Sequence, residues 1–132
     1  MKVFLSYASP DASVAKALVP DLTDAGLDVW DSDTDILPGE NWASKIGEAL
    51  EKSDIVLVFL SPDSLESRWI RGEIDYVLGT PKFRNRLLPV VVRPTNKIPW
   101  ILQRLPLVHL EDAPADAGQR VLQGIRQLAA IA

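Results

Sequence analysis

Residues Ile55–Leu60 form an unbroken apolar run, Ile-Val-Leu-Val-Phe-Leu. Six residues are far too few to cross a bilayer. The absence of any alternation excludes a strand with one wet face, so the run reads as a parallel strand covered by helices on both sides. The rest of the chain fits that demand. Further short apolar runs, read as strands, fall at residues 2–5, 27–30, 87–92 and 107–110. Between them lie amphipathic stretches. Val14, Leu18 and Leu22 repeat every four residues in a helix that starts near Ser9-Pro10 and stops at Gly26. Helices are also predicted over 42–52, with Ile46, Ala49 and Leu50 inward, and from Ser61-Pro62 to about residue 78. A helical turn is expected within 99–105, and a last helix over 114–130 with Val121, Leu122, Ile125 and Leu128 inward. Pro89 has no N–H for a ladder, which predicts a fourth strand that is irregular or near an edge. Strand-helix alternation of this kind predicts an α/β fold, a parallel sheet with helices on both faces.

The chain of 132 residues is sized for one domain with one core, residues 1–132, and no linker or repeat divides it. With 14 basic against 18 acidic residues and no basic run, it lacks the concentrated positive surface of a nucleic-acid binder. There is no cysteine and a single histidine, His109. That excludes disulfides, thiolate nucleophiles and His- or Cys-rich metal sites, and argues against a catalytic triad. Met1 leads directly into the first strand, so neither a signal peptide nor a membrane segment is expected, and the expected compartment is the cytoplasm.

Open parallel sheets bind ligands at the carboxyl ends of their strands. Three segments converge there: Ser6-Tyr7-Ala8-Ser9, the acidic stretch from Asp31 with its Pro38-Gly39 turn, and Ser61 with the helix that follows. On that helix Trp69, Glu73 and Tyr76 share a face beside the apolar stripe Ile70, Ile74 and Val77. A carboxylate so placed is expected to be partly desolvated, which raises its pKa. Spacing alone leaves open the plainer reading, that Glu73 pairs with Arg71 or Lys82 at a helix boundary. Trp42 is either a packing staple at a helix start or an aromatic that meets a ligand or partner. His109, in a strand, reads as structural, and Asp31, Asp33 and Asp35 read as a solvated loop rather than a cation site. No glycine-rich phosphate loop is present.

Four segments together resemble the Toll/interleukin-1 receptor (TIR) domain family. Val3-Phe4-Leu5-Ser6-Tyr7 is similar to that family's opening box. Asp31 and the loop ending Leu37-Pro38-Gly39-Glu40-Asn41-Trp42 resemble its second strand and BB loop. Ser67-Arg68-Trp69-Ile70-Arg71-Gly72-Glu73-Ile74 resembles its catalytic helix box, and Leu88-Pro89-Val90-Val91 its fourth strand. The resemblance covers essentially the whole chain and implies a flavodoxin-like, five-stranded parallel sheet. Family enzymes cleave NAD+ at the nicotinamide-ribose bond, while other members are scaffolds. The resemblance gives Glu73 the catalytic role and makes Ser6, Tyr7, Asp31, Trp42 and Trp69 substrate-binding. NAD+ is then a substrate, and no metal or further cofactor is implied. It also implies self-association through the 31–42 loop, a place in immune or anti-phage signalling, and either a module of a larger protein or a small stand-alone effector. Basic residues that often follow the opening box are replaced by Ala8 and Ser9, which moves phosphate contacts to backbone N–H groups of the first helical turn. A cysteine often found beside the helix-box aromatic is Ile70.

The implied chemistry suits this composition. Nicotinamide on ribose is already cationic and leaves neutral, so no general acid is needed, and one carboxylate can stabilise the ribosyl cation. Alternatives are a TIR scaffold without activity and an enzyme like the nucleoside deoxyribosyltransferases. A receiver-type phosphoacceptor domain lacks its expected lysine near the end of the fourth or fifth strand.

Overall fold

A computed structural model describes residues 1–112 and 114–131; the side chains of Asp33, Thr34 and Ile131 lie outside that description. Five parallel strands form one sheet: β1 (Lys2–Ser6), β2 (Asp28–Trp30), β3 (Ile55–Leu60), β4 (Leu87–Val91) and β5 (Val108–His109), in the order β2-β1-β3-β4-β5. All six residues of β3 are buried, as an unalternated run at the sheet centre requires. Among the described residues seven α-helices accompany the strands: α1 (Ala12–Asp24), α2 (Ser32–Asp35), α3 (Trp42–Lys52), α4 (Pro62–Glu66), α5 (Arg68–Gly79), α6 (Trp100–Gln103) and α7 (Ala117–Ile131).

Alternation along the strands divides the interior into two cores. Val3 and Leu5 of β1 pack on one face with Leu18 and Leu22 of α1 and Val121 and Ile125 of α7. Phe4 packs on the other face with Ile46 of α3 and Ile70, Ile74 and Val77 of α5. The inward residues expected of α1, α3, α5 and α7 are those that face the sheet, except that Val14 and Ala49 are only partly buried. Gly26 closes the α1 turn with φ of +88°, the left-handed conformation that favours glycine at a helix end.

Four expectations are corrected. Ser9 does not cap a helix: Ser9–Asp11 form a 3-10 turn with no side-chain cap, and α1 begins at Ala12. The stretch after β2 is not all loop, because the Asp35 carboxylate accepts from the Asp31 N–H at 2.8 Å and the backbone winds into α2. The helix expected from Ser61 to residue 78 is two helices. Ser67 is extended (φ −77°, ψ 118°), ends α4 and caps α5, its Oγ accepting from Ile70 N at 3.3 Å. The last helix starts at Ala117 rather than residue 114. Pro89 sits in an unbroken strand one in from the edge. Val92 N donates to Leu60 and Leu110 N donates to Val91 O, so even-numbered groups of β4 face β3 and odd ones face β5. The absent Pro89 N–H therefore points to where two-residue β5, paired from Val90 onward, has not begun.

Candidate active site

β1 positions the first site residue by alternation. Phe4 and Ser6 share the face covered by α3 and α5, so the last side chain on that face is a hydroxyl directed at α5. Ser6 Oγ donates to Glu73 Oε1 at 3.4 Å, a long bond from β1 to the second turn of α5. Glu73 is largely buried, and burial pushes its carboxyl up to about 7, with the Ser6 hydroxyl pulling weakly the other way. Among the described residues no cation lies within ion-pair distance of it, so neither Arg71 nor Lys82 is its partner. The plainer reading of Glu73 does not hold.

One wall of the site is aromatic. Trp42 opens α3, whose first turn is capped by Asn41 Oδ1 accepting from Ser44 N at 3.0 Å. Trp69 lies one turn before Glu73 on α5. The two rings meet with centroids 4.4 Å apart at 39°, yet Trp42 is 49% and Trp69 40% exposed. Burial of a packing staple would be far more complete, so this pair is a half-open wall. Ser6, Tyr7, Ala8, Ser9, Ser67 and Glu73 join the tryptophans around a hollow of about 220 Å³ at the carboxyl ends of the strands.

Tyr7 links the hollow to Asp31 behind it. The Tyr7 ring packs edge-on against Phe59 in the other core at 6.3 Å, and its hydroxyl donates to Asp31 Oδ1 at 2.6 Å. Asp31 is buried and stands behind Tyr7 rather than lining the hollow. Two other expectations change. Tyr76 turns away from Glu73 and packs edge-on against Phe83 at 6.1 Å. Asp31 and Asp35 are engaged within their own loop and with Tyr7, while the Asp33 side chain lies outside the described residues. His109 is an exposed residue beside Glu111.

No spacing in the chain signals a second polar cluster under the same loops. Asp11, 1% exposed, accepts from Ser61 Oγ at 2.5 Å and from Arg93 Nε at 2.9 Å. Arg93 also bonds Asp63, and Ser61 and Ser64 cap α4 reciprocally. These contacts clamp together the chain after β1, β3 and β4 and fix the backbone that carries Ser6 and Tyr7. An aspartate directly after a proline at a helix start looks like an ordinary first-turn acid, so its burial is invisible to spacing.

Fold and site together define an α/β domain with one desolvated glutamate behind an aromatic wall. The TIR domain family matches residues 3–124, and the chain belongs to that family. It is 29% identical over 114 residues to the stimulator of interferon genes protein of Magallana gigas, covering 83% of this chain and 28% of that protein. It is 31% identical over 90 residues to the NAD(+) hydrolase PdTIR of Paracoccus denitrificans, covering 67% of this chain and 30% of that one. The chain thus spans under a third of either relative. The TIR domain of a Toll-related receptor from Hydra magnipapillata superposes with a TM-score of 0.76 at 24% identity, over 94% of this chain and 97% of the other, which shows the fold. Among the described residues no helix is long and apolar enough to cross a membrane, and no group of three or more histidines and acids is arranged to hold a metal.

Proposed function

We propose that the chain is an NAD+ glycohydrolase whose catalytic group is Glu73. The observation that carries this reading is the state of that carboxylate: largely buried, unpaired with any cation among the described residues, and held by a single hydroxyl. An ionised group in such a place is poorly solvated and strongly attracted to developing positive charge. The name of the Paracoccus relative supports the same activity.

The bond between ribose C1′ and the nicotinamide nitrogen breaks with its electron pair going to nitrogen. Nicotinamide, cationic on ribose, leaves neutral. Positive charge spreads over C1′ and the ring oxygen, and Glu73 stabilises or captures it, as carboxylates do in glycoside hydrolysis. Water then adds at C1′ and releases a proton, giving ADP-ribose; an internal hydroxyl of the adenosine half as acceptor gives a cyclic isomer. Neither a metal nor a further cofactor is needed. Trp69, beside Glu73, packs on the nicotinamide end, and Trp42 closes over it. A hollow of about 220 Å³ is smaller than typical whole-ligand sites. It takes the reacting end of NAD+, with the phosphates held by the backbone N–H groups of Ala8 and Ser9, since Pro10 has none and Asp11 N donates to Ala8 O. Tyr7 and Asp31 brace the floor. We place the activity in the cytoplasm, in immune or anti-phage signalling, as one module of a larger protein that is switched on by self-assembly.

The test is incubation of concentrated protein with NAD+ and, in parallel, with deoxynucleosides, products being separated by chromatography. Nicotinamide released by the parent and not by Glu73→Gln supports the reading. Deoxyribosyl transfer without NAD+ loss, or equal NAD+ loss in both proteins, refutes it.

A further inference from the structure

A hollow of about 220 Å³ seats the reacting end of NAD+ and leaves the adenylate half to be held elsewhere. That half brings a second phosphate, so its seat calls for cationic side chains. Five segments leave the carboxyl ends of the strands: residues 7–11, 31–41, 61–67, 92–99 and 110–116. They hold two lysines or arginines between them, Arg93 and Lys97, and both follow β4. Lys97 forms no ion pair among the described residues.

A second hollow, of about 450 Å³, opens beside these two cations. Its size falls within the range of small-molecule sites. Pro62, Leu65 and Pro94 give it apolar walls that suit the faces of a purine. Asn96 there can exchange hydrogen bonds with a purine edge, and the Glu66 carboxylate can accept from ribose hydroxyls. The two hollows are neighbours. Ser67 lines the first, and the preceding residue, Glu66, lines the second. Arg93 immediately precedes Pro94 of the second hollow. Its Nε donates at 2.9 Å to Asp11, two residues past Ser9 of the first. The ground between them is also a topological switch point. β1 leads into α1 on one face of the sheet, while α3 and α5 cover the other, so a crevice opens at the carboxyl ends of β1 and β3. Open parallel sheets bind ligands in that crevice.

We infer that the adenylate half of the dinucleotide lies in the second hollow, with Arg93 and Lys97 paired to its phosphate. The inference rests on the glycohydrolase reading. The Ala8 and Ser9 N–H groups keep the phosphate nearer nicotinamide. Arg93 is anchored through Nε on Asp11, which is 1% exposed, while its Nη2 donates to Asp63, whose side chain is 46% exposed. An exposed ion pair is held weakly. A phosphate oxygen therefore takes the place of Asp63, and the buried bond to Asp11 persists.

Nicotinamide mononucleotide has the same scissile bond and lacks the adenylate half. The ratio of kcat/KM for NAD+ to kcat/KM for the mononucleotide, at one protein concentration, therefore reads the second hollow. Asn96→Trp fills the hollow and Lys97→Glu reverses its cation, both at exposed positions. Each is expected to lower the ratio about tenfold, the scale of one lost hydrogen bond to a charged group. Asp63→Asn releases the Arg93 guanidinium and is expected to raise the ratio about two- to fivefold. A ratio within about two-fold of the parent in both Asn96→Trp and Lys97→Glu, or an equal fall on both substrates, overturns the inference. An unmoved or lowered ratio in Asp63→Asn overturns the part given to Arg93. Calorimetry with ADP, which has no scissile bond, separates this inference from the reading beneath it. If the parent cleaves neither substrate, the glycohydrolase reading falls. ADP bound by the parent and not by Asn96→Trp then still supports the second hollow, and ADP bound by both or by neither overturns it. NAD+ cleavage with an unmoved ratio leaves the glycohydrolase reading standing and removes this one.

Discussion

Replacing Glu73 by glutamine separates activity from stability in a way the burial of this residue dictates. A carboxyl raised from 4.5 to about 7 binds its proton more tightly in the folded than in the unfolded chain. Between those values folding takes up a proton. Stability from this group is therefore complete below about pH 4.5, is lost as pH rises to about 7, and stays lost above. At about 1.36 kcal/mol per pH unit the full loss is about 3 kcal/mol, and partial exposure of the carboxyl reduces it to about 2. Glutamine has nearly the same volume, still accepts from Ser6, and carries no charge at any pH. The variant should match the parent near pH 4.5 and exceed it at pH 8 by about 2 kcal/mol, or about 7 °C in Tm for a chain of this length. Paired urea and thermal unfolding of parent and variant at several pH values gives the difference directly, with the other titrating groups cancelling. Catalysis should fall about a hundred- to a thousand-fold in the same protein, as expected when one preorganised electrostatic group is removed. A variant equal to or less stable than the parent at pH 8, or a stability difference independent of pH, would refute the desolvation argument. A stabilised variant that still cleaves NAD+ would refute the catalytic one.

The kcat/KM of the parent should rise about tenfold from pH 6 to pH 8 with a midpoint near 7, because the ionised form acts; a flat profile of kcat/KM against pH would exclude Glu73 as the titrating group. Trp69→Ala should mainly lower kcat and Trp42→Ala mainly raise KM, each about tenfold, since stacking on a ring is worth roughly 1–3 kcal/mol; Michaelis kinetics within two-fold of the parent would remove both stacking roles. Asp11→Ala strips Ser61 and Arg93 of their buried partner and should cost about 1–3 kcal/mol in urea unfolding, discounted for the exposure of Arg93; a cost under a few tenths would show that the clamp is not structural. Specific activity should rise steeply over a hundred-fold increase in protein concentration, and Gly39→Pro should blunt the rise by removing a backbone conformation near φ of +89°. A flat line would detach activity from assembly.

Apolar periodicity alone settles the fold class, because burial on two faces and burial on one leave different repeats. Ile55–Leu60 could only be a central strand, and Val14, Leu18 and Leu22 could only be a helix face. It also placed Glu73 one turn from Trp69, since both lie on one helix and local geometry fixes that spacing. Tertiary structure decided everything that depends on residues far apart in the chain. Whether Glu73 was an ion-paired boundary residue or a desolvated acid turned on β1 bringing Ser6, 67 residues away, to its oxygen and no cation with it. The break at Ser67 was decided by one side chain choosing to cap rather than continue a helix, two outcomes separated by about a kcal/mol. The meeting of Trp42 with Trp69, the turn of Tyr76 toward Phe83 and the burial of Asp11 between Ser61 and Arg93 arise from the packing of separate elements on one sheet. Periodicity reports which side of an element is apolar. It carries no record of which polar side chains from distant elements will share that buried space, and the chemistry of this site depends on that sharing.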